Sequence, residues 1–284
     1  MKLGVAGLLP EWQKIDLAVA QKVRSAGFRG VSVFIARPLE TELAEVGRVK
    51  AALDAAGLEA AQANGWYECL VNPDDALRAA GVKGMQALVH IGRRLDACTV
   101  YVRPGSLNPR GAWYAHPGNH TQATFDHLVD SLRQVAATAQ AEGMILAIEG
   151  HVLSLLDSAR KVRDLLDAVG SPALKFNVDA VNFIGSVMDV FDTTRVINDL
   201  FDLLGKDTVA AHVKDCALED ELVLHIKEVV MGTGTMDQGL ILRRMAAACP
   251  DGYCLVEHLP DHLVPQARIA FLAAADRADI KLEY

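Results

Sequence analysis

The sequence predicts an α/β protein, a closed (β/α)8 barrel occupying residues 1–284 as a single domain, and three observations predict it. Eight short apolar runs alternate with eight helix-patterned segments, with no Pro/Ser-rich linker between them. The runs are apolar almost throughout, as strands are when helices cover a parallel sheet. The last four runs each end in a charged or imidazole side chain, and a closed parallel barrel gathers all its strand ends around one pocket. The length suits one such barrel, which typically takes about 250 residues. A doubly wound open sheet needs a phosphate-binding glycine turn after its first strand, and Gly4-Val-Ala-Gly7-Leu-Leu-Pro10 does not supply one.

The elements follow in order. Lys2 to Gly7 reads as the first strand, and Ile15, Val19 and Val23 form the stripe of a helix closing at Gly27. Gly30 to Ile35 is the second strand, and Leu39 to Ala56 an alanine-rich helix stopped by Gly57. Leu58 to Asn64 is the third strand, and Asn72-Pro-Asp-Asp75 opens a helix running to Leu95. Cys98 to Arg103 is the fourth strand. A loop from Ser106 to Asn119 with Trp113 and Tyr114 follows, then a helix from Thr121 or Thr124 to Gly143. Met144 to Glu149 is the fifth strand, with its helix from Ser158 to Val169. Leu174 to Asp179 is the sixth, with a helix from Thr193 to Leu204. Val209 to Lys214 is the seventh, followed by an excursion from Cys216 to Met236, read as loop, and a helix from Gln238 to Ala248. Tyr253 to Glu257 is the eighth strand, and Leu263 to Arg277 the last helix.

Side chains alternate along a strand. If Glu149, Asp179, His212 and Glu257 point inward, then Ile148, Val178, Val213 and Val256 point out toward the helices. The fourth strand agrees, with Tyr101 and Arg103 inward and Val100 and Val102 outward. Buried acids are costly unless something pairs with them. Three acids and a histidine on four successive strand ends suggest one shared divalent cation; the competing structural reading is a set of ion pairs with lysine or arginine. Three carboxylates and one imidazole favour a hard or borderline ion, with Mn²⁺ or Mg²⁺ ahead of Zn²⁺.

Composition narrows the rest. Residues are 51% apolar and net charge is −8, so a nucleic-acid partner is not expected. Five scattered cysteines without zinc spacing read as reduced thiols in a cytoplasm. Acid at Glu11 makes the N-terminus a poor signal peptide, and no apolar run approaches membrane-spanning length.

With these residues in view, the chain resembles the sugar-phosphate isomerase/epimerase group, xylose isomerase-like TIM barrels related to endonuclease IV. The resemblance is carried by Ala147-Ile-Glu149, Val178-Asp179-x-x-Asn182, His212-Val-Lys-Asp215, Gly232-x-Gly234-x-x-Asp237 and Val256-Glu257. It implies a metal-dependent enzyme acting on a small carbohydrate and holding Mn²⁺, Mg²⁺, Co²⁺ or Zn²⁺ through those four ligands. Barrels of this kind often form homo-oligomers, though no stretch of the sequence marks an interface. Many members carry a histidine three residues after the metal-binding aspartate, where this chain has Asn182. His151 and His258 are the nearby titratable alternatives.

The expected chemistry is isomerisation or epimerisation of a sugar or related α-hydroxycarbonyl through a metal-stabilised enediolate. Glu149 and Glu257 are the candidate catalytic acid and base. Arg103, His151, Asn182, Lys214 and Trp113 are the candidate substrate contacts, with Trp66 and Tyr114 on the same rim. A lyase or dehydratase of inosose, dehydroshikimate or 3-oxo-glycoside type remains the alternative on the same scaffold. Two further readings are an endonuclease, against which the charge argues, and a non-catalytic binding barrel.

Overall fold

The computed structural model describes residues 1–284. Eight parallel strands close into a barrel: β1 Lys2–Ala6, β2 Gly30–Ile35, β3 Glu59–Gly65, β4 Thr99–Val102, β5 Leu146–Ile148, β6 Leu174–Val178, β7 Thr208–Val213 and β10 Tyr253–Glu257. Each pairs with its neighbours in chain order, and β10 closes the ring against β1 with Leu3 beside Cys254 and Ala6 beside Glu257. The outward side chains, among them Val100, Ile148, Phe176, Val213 and Val256, join one continuous buried core beneath the helices.

The helices are α1 Leu17–Ser25, α2 Leu43–Ala56, α3 Asp75–Leu95, α4 Gln122–Glu142, α5 Ala159–Val169, α6 Val187–Phe191, α7 Thr193–Leu204, α8 Gln238–Ala248 and α9 Val264–Arg277. Their starts are set by side chains that accept otherwise unpaired amides. Asp16 caps α1 at Val19, Asp74 caps α3 at Ala76 and Leu77, and Thr121 caps α4 at Thr124. Gly57, Gly143 and Gly170 end α2, α4 and α5 in the left-handed conformation.

Several elements differ from expectation, among them α6, which falls between the sixth strand and the helix expected after it. Ile15 lies outside α1, because Asp16 caps the helix one residue later. The stretch expected as a helix from Leu39 begins only at Leu43, after a 3-10 turn at Pro38–Glu40. The excursion expected as loop contains an antiparallel hairpin, β8 Asp215–Leu218 with β9 Ile226–Val229. The acids Glu219, Asp220 and Glu221 sit at its tip.

Inside the barrel, large and small residues alternate to fill the lower layer. Tyr253 and Leu255 fill the space beside Gly30 and Gly4, where a Cβ would collide with the Tyr253 ring and with Leu255. Leu255 also lies level with His212 on β7. Ala61, Tyr253 and Leu255 form a small buried cluster there, below the polar residues at the C-terminal ends of the strands.

Candidate metal centre

Glu149 follows β5, Asp179 follows β6, His212 lies in β7 and Glu257 ends β10. All four are buried, and each offers a ligand atom such that all four atoms lie within 4.8 Å of one another. Alternation along four adjacent strands produces this convergence: the inward parity delivers the polar side chains, while Ile148, Val178, Val213 and Val256 go to the core.

Lys214, two residues after His212, shares its inward parity and joins the cluster. Its ammonium is 2.7 Å from Asp179 Oδ2, 2.8 Å from Glu257 Oε1 and 3.2 Å from Glu228 Oε1. It also donates to Asn182 Oδ1 at 3.3 Å. The ion-pair alternative is therefore present in part, through one lysine and no arginine. It does not use up the donors. Asp179 Oδ1 is buried without a hydrogen-bond partner. His212 Nδ1 lies 2.9 Å from both Glu149 Oε2 and Glu257 Oε2, yet neither oxygen is aligned to accept a hydrogen bond from it.

The groups around the cluster shape it. Asn177 Nδ2 donates to Glu149 Oε2 at 2.9 Å, and Asn182 Nδ2 donates to Glu149 Oε1. His212 Nε2 stands 3.1 Å from Gln62 Oε1. A proton on Nε2 donated to that oxygen leaves the Nδ1 lone pair facing the carboxylates, the arrangement a metal-ligating imidazole needs. The Tyr101 ring packs on His212 at 5.2 Å between centroids.

The electrostatics report crowding by acids. Burial raises the Asp179 carboxyl to about 7 although Lys214 opposes the shift. Burial would lower His212, but Glu257 and Glu149 outweigh it and lift the imidazole to about 10. Burial would raise Glu257, but His212 and Lys214 outweigh that and hold it well below the usual carboxylate range. Four acids (Glu149, Asp179, Glu257, Glu228) face only two basic groups, Lys214 and His212, so the cluster holds a surplus of acids. A divalent cation fits such a donor set; three carboxylates and an imidazole suit Mg²⁺ or Mn²⁺.

The other candidate contacts are placed differently. Asn182 and Lys214 lie in the cluster. Arg103 makes no ion pair or hydrogen bond with it; its guanidinium lies over the Tyr67 ring at 4.2 Å and donates to Tyr67 O at 3.3 Å. His151 accepts from Leu153 N through Nδ1 at 3.0 Å, and Trp113 packs edge-on against it at 5.7 Å. His258 sits in the left-handed region at φ 57° with Nδ1 3.2 Å from Glu228 Oε1. Trp66 and Tyr114 are on the rim and about half exposed.

Asp215 holds the excursion. Its carboxylate accepts from the amides of Cys216, Gly232, Gly234 and Met236 at 2.9 to 3.0 Å. The Gly232 to Asp237 turn is thus tied beside Lys214, and β9 brings Glu228 over the cluster.

Gln62 and Glu228 are the residues sequence reasoning missed. Gln62 left a signal, a lone amide in Ala60-Ala61-Gln62-Ala63. Glu228 left none, because its place depends on a hairpin whose partner strands carry no apolar alternation. The five cysteines are unpaired, and no helix is long and apolar enough to cross a membrane.

A model of the xylose isomerase-like TIM barrel family matches residues 20–275. No curated protein matches the sequence. Among solved structures, the chain is similar to a D-psicose 3-epimerase crystallised in the presence of D-fructose, at 17% identity and TM-score 0.75, over 99% of both chains. It is similar to a 3-keto-D-glucoside 4-epimerase from E. coli at 17% identity and TM-score 0.71, over 97% of this chain and 99% of that one. It is also similar to a xylose isomerase-like TIM barrel protein from Mycobacterium smegmatis in complex with magnesium. There the identity is 13% and the TM-score 0.72, over 97% and 94% of the two chains.

Proposed function

The chain belongs to the xylose isomerase-like TIM barrel family, and from that premise we propose that it is a divalent-metal-dependent isomerase or epimerase. Its substrate is a sugar or related α-hydroxycarbonyl compound. The observation that carries this reading is the convergence of Glu149, Asp179, His212 and Glu257, four buried ligand atoms within 4.8 Å of one another. The unpartnered Asp179 Oδ1 and the two carboxylates facing His212 Nδ1 support a cation over a closed knot of ion pairs.

A divalent ion held by these four residues supplies Lewis-acid polarisation of the substrate carbonyl. The side chains do the rest. Glu149 and Glu257 approach from strands three apart in the ring, so they flank the substrate from two sides. Glu257, kept ionised by His212 and Lys214, takes the proton from the carbon beside the carbonyl. Glu149, oriented by the amides of Asn177 and Asn182, enters the step carrying a proton and gives it to the opposite face of the enediolate, so the turnover ends with the substrate's original proton on Glu257 and exchange with solvent resets the pair. Lys214 and Asn182 sit within the cluster, Lys214 on Asp179 and Glu257 and Asn182 on Glu149, and meet substrate oxygens by exchanging those partners. The five unpaired thiols fit a reducing cytoplasm.

A second reading, elimination by a lyase, is favoured by Asn182. Its amide bridges Glu149 and Lys214 where a histidine would add a titratable group. Product analysis separates the two, as inverted stereochemistry against loss of water or an aglycone. The test of the main reading is Glu149→Gln, assayed for bound metal and for turnover on a panel of ketoses and 3-oxo-glycosides. We expect turnover to fall by roughly 100-fold or more, with lower metal content. Full activity at full metal content removes Glu149 from the scheme.

A further inference from the structure

The loops after β3 and β4 enclose a second cavity at the C-terminal end of the barrel, of about 460 Å³. Trp66, Tyr67 and Asn72 line one side, and Arg103, Asn108 and Arg110 the other. Each arginine lies over a tyrosine ring, Arg103 on Tyr67 at 4.2 Å and Arg110 on Tyr114 at 4.1 Å. A guanidinium stacked by its face keeps its edge donors for another partner. Arg103 Nε is buried and has none. Glu68 is the single carboxylate among the lining residues, and it forms no ion pair with either arginine. The cavity therefore holds two uncompensated cations in a chain of net charge −8.

Its position relative to the carboxylate cluster is set by β4. The Tyr101 ring touches His212, and Arg103 follows two residues later, about 7 Å further along the strand. That is within reach of the far end of a sugar-length chain. The cluster itself, with its surplus of acids, repels an anionic group. We propose that this cavity is an anion subsite: the substrate carries a carboxylate or phosphate at the end remote from its carbonyl, gripped by Arg103 and Arg110. Planar guanidinium forks match both oxyanions. The assignment to substrate rests on the metal-centre reading above; anion binding by the arginine pair does not.

The experiment is calorimetric titration of the full chain with inorganic phosphate and with malonate at low salt, with and without Mg²⁺. Wild type is compared with Arg103→Ala, Arg110→Ala and Arg103→Lys, each checked by thermal melting. We expect wild type to bind, with affinity falling as salt rises. Each alanine variant weakens binding roughly tenfold or more, the loss of one charged hydrogen-bonding group, and Arg103→Lys falls between. A kcat/KM comparison of D-fructose, D-fructose 6-phosphate and a keto-sugar acid then shows which oxyanion the subsite serves. No binding by wild type, or equal binding by wild type and both alanine variants, overturns the proposal. So does equal kcat/KM for the neutral and both anionic sugars. Arginine-dependent phosphate binding in a protein that holds no metal and turns over no sugar leaves the anion site standing and removes the metal-centre reading.

Discussion

Replacing Lys214 by methionine separates the two cations the carboxylates can use. The ammonium is buried and lies 2.7 Å from Asp179, 2.8 Å from Glu257 and 3.2 Å from Glu228. Methionine is of similar length and leaves those acids without it. Breaking a buried pair from one side costs about 3–5 kcal/mol. Burial already raises the Asp179 carboxyl to about 7, so protonation absorbs part of the penalty, and about 3 kcal/mol is expected near neutral pH. At roughly 2 °C per kcal/mol for a chain of this size, the variant melts about 6 °C below wild type in chelator. A divalent ion reverses this. Saturation at 1,000 times Kd stabilises by about 4 kcal/mol, and removing a like charge from beside the site raises ion affinity. Thermal unfolding of both proteins in EDTA and across a Mn²⁺ titration measures the difference. The gap between them narrows as Mn²⁺ rises, and the variant shows the larger metal-induced increment. An equal gap with and without Mn²⁺ would show that ammonium and ion do not compensate the same carboxylates, and the argument fails.

Three other outcomes follow from the same geometry. Gln62→Leu removes the acceptor that sets the His212 tautomer, so metal affinity by equilibrium dialysis drops about 10- to 100-fold while the fold survives. Asp215→Ala strips the acceptor from four amides of the excursion, at roughly 1 kcal/mol or more for each amide left buried; hydrogen exchange at Gly232, Gly234 and Met236 speeds up, and unchanged exchange refutes the pinning role. At the opposite end of the barrel, burial would raise Glu59, but bonds from Lys2, Tyr253 and Arg29 outweigh it and lower the carboxyl to about 2. That stabilisation is present above about 4.5 and is lost as pH falls through about 2; discounted for partial exposure it is roughly 1–2 kcal/mol. Melting curves of Glu59→Gln and wild type therefore converge as pH falls from 5 toward 2, and a constant gap contradicts the assignment.

Much of the barrel was legible because its signals are local. Apolar runs, caps such as Asp74 and Ser158, and stops such as Gly57 and Gly143 depend on a few neighbouring residues, and period-two alternation sorted inward from outward side chains. That parity was enough to bring Glu149, Asp179, His212 and Glu257 to one place. Distances between strands far apart in the chain were not legible. Gln62 meets His212 across 150 residues of sequence. Parity turned Lys214 inward with His212, but not which acids its ammonium would meet: Asp179, Glu257 and Glu228. Glu228 arrives on a hairpin whose short polar strands lack the pattern that marks a buried sheet. Arg103 shares its inward parity with Tyr101, yet the Tyr67 ring draws it into a different cavity. Amino-acid order determines which face of each strand is polar, since that is a matter of alternation. Which polar groups become partners depends on how the ring closes and how its loops fold back, since contact energies act only across the last few ångströms that closure sets.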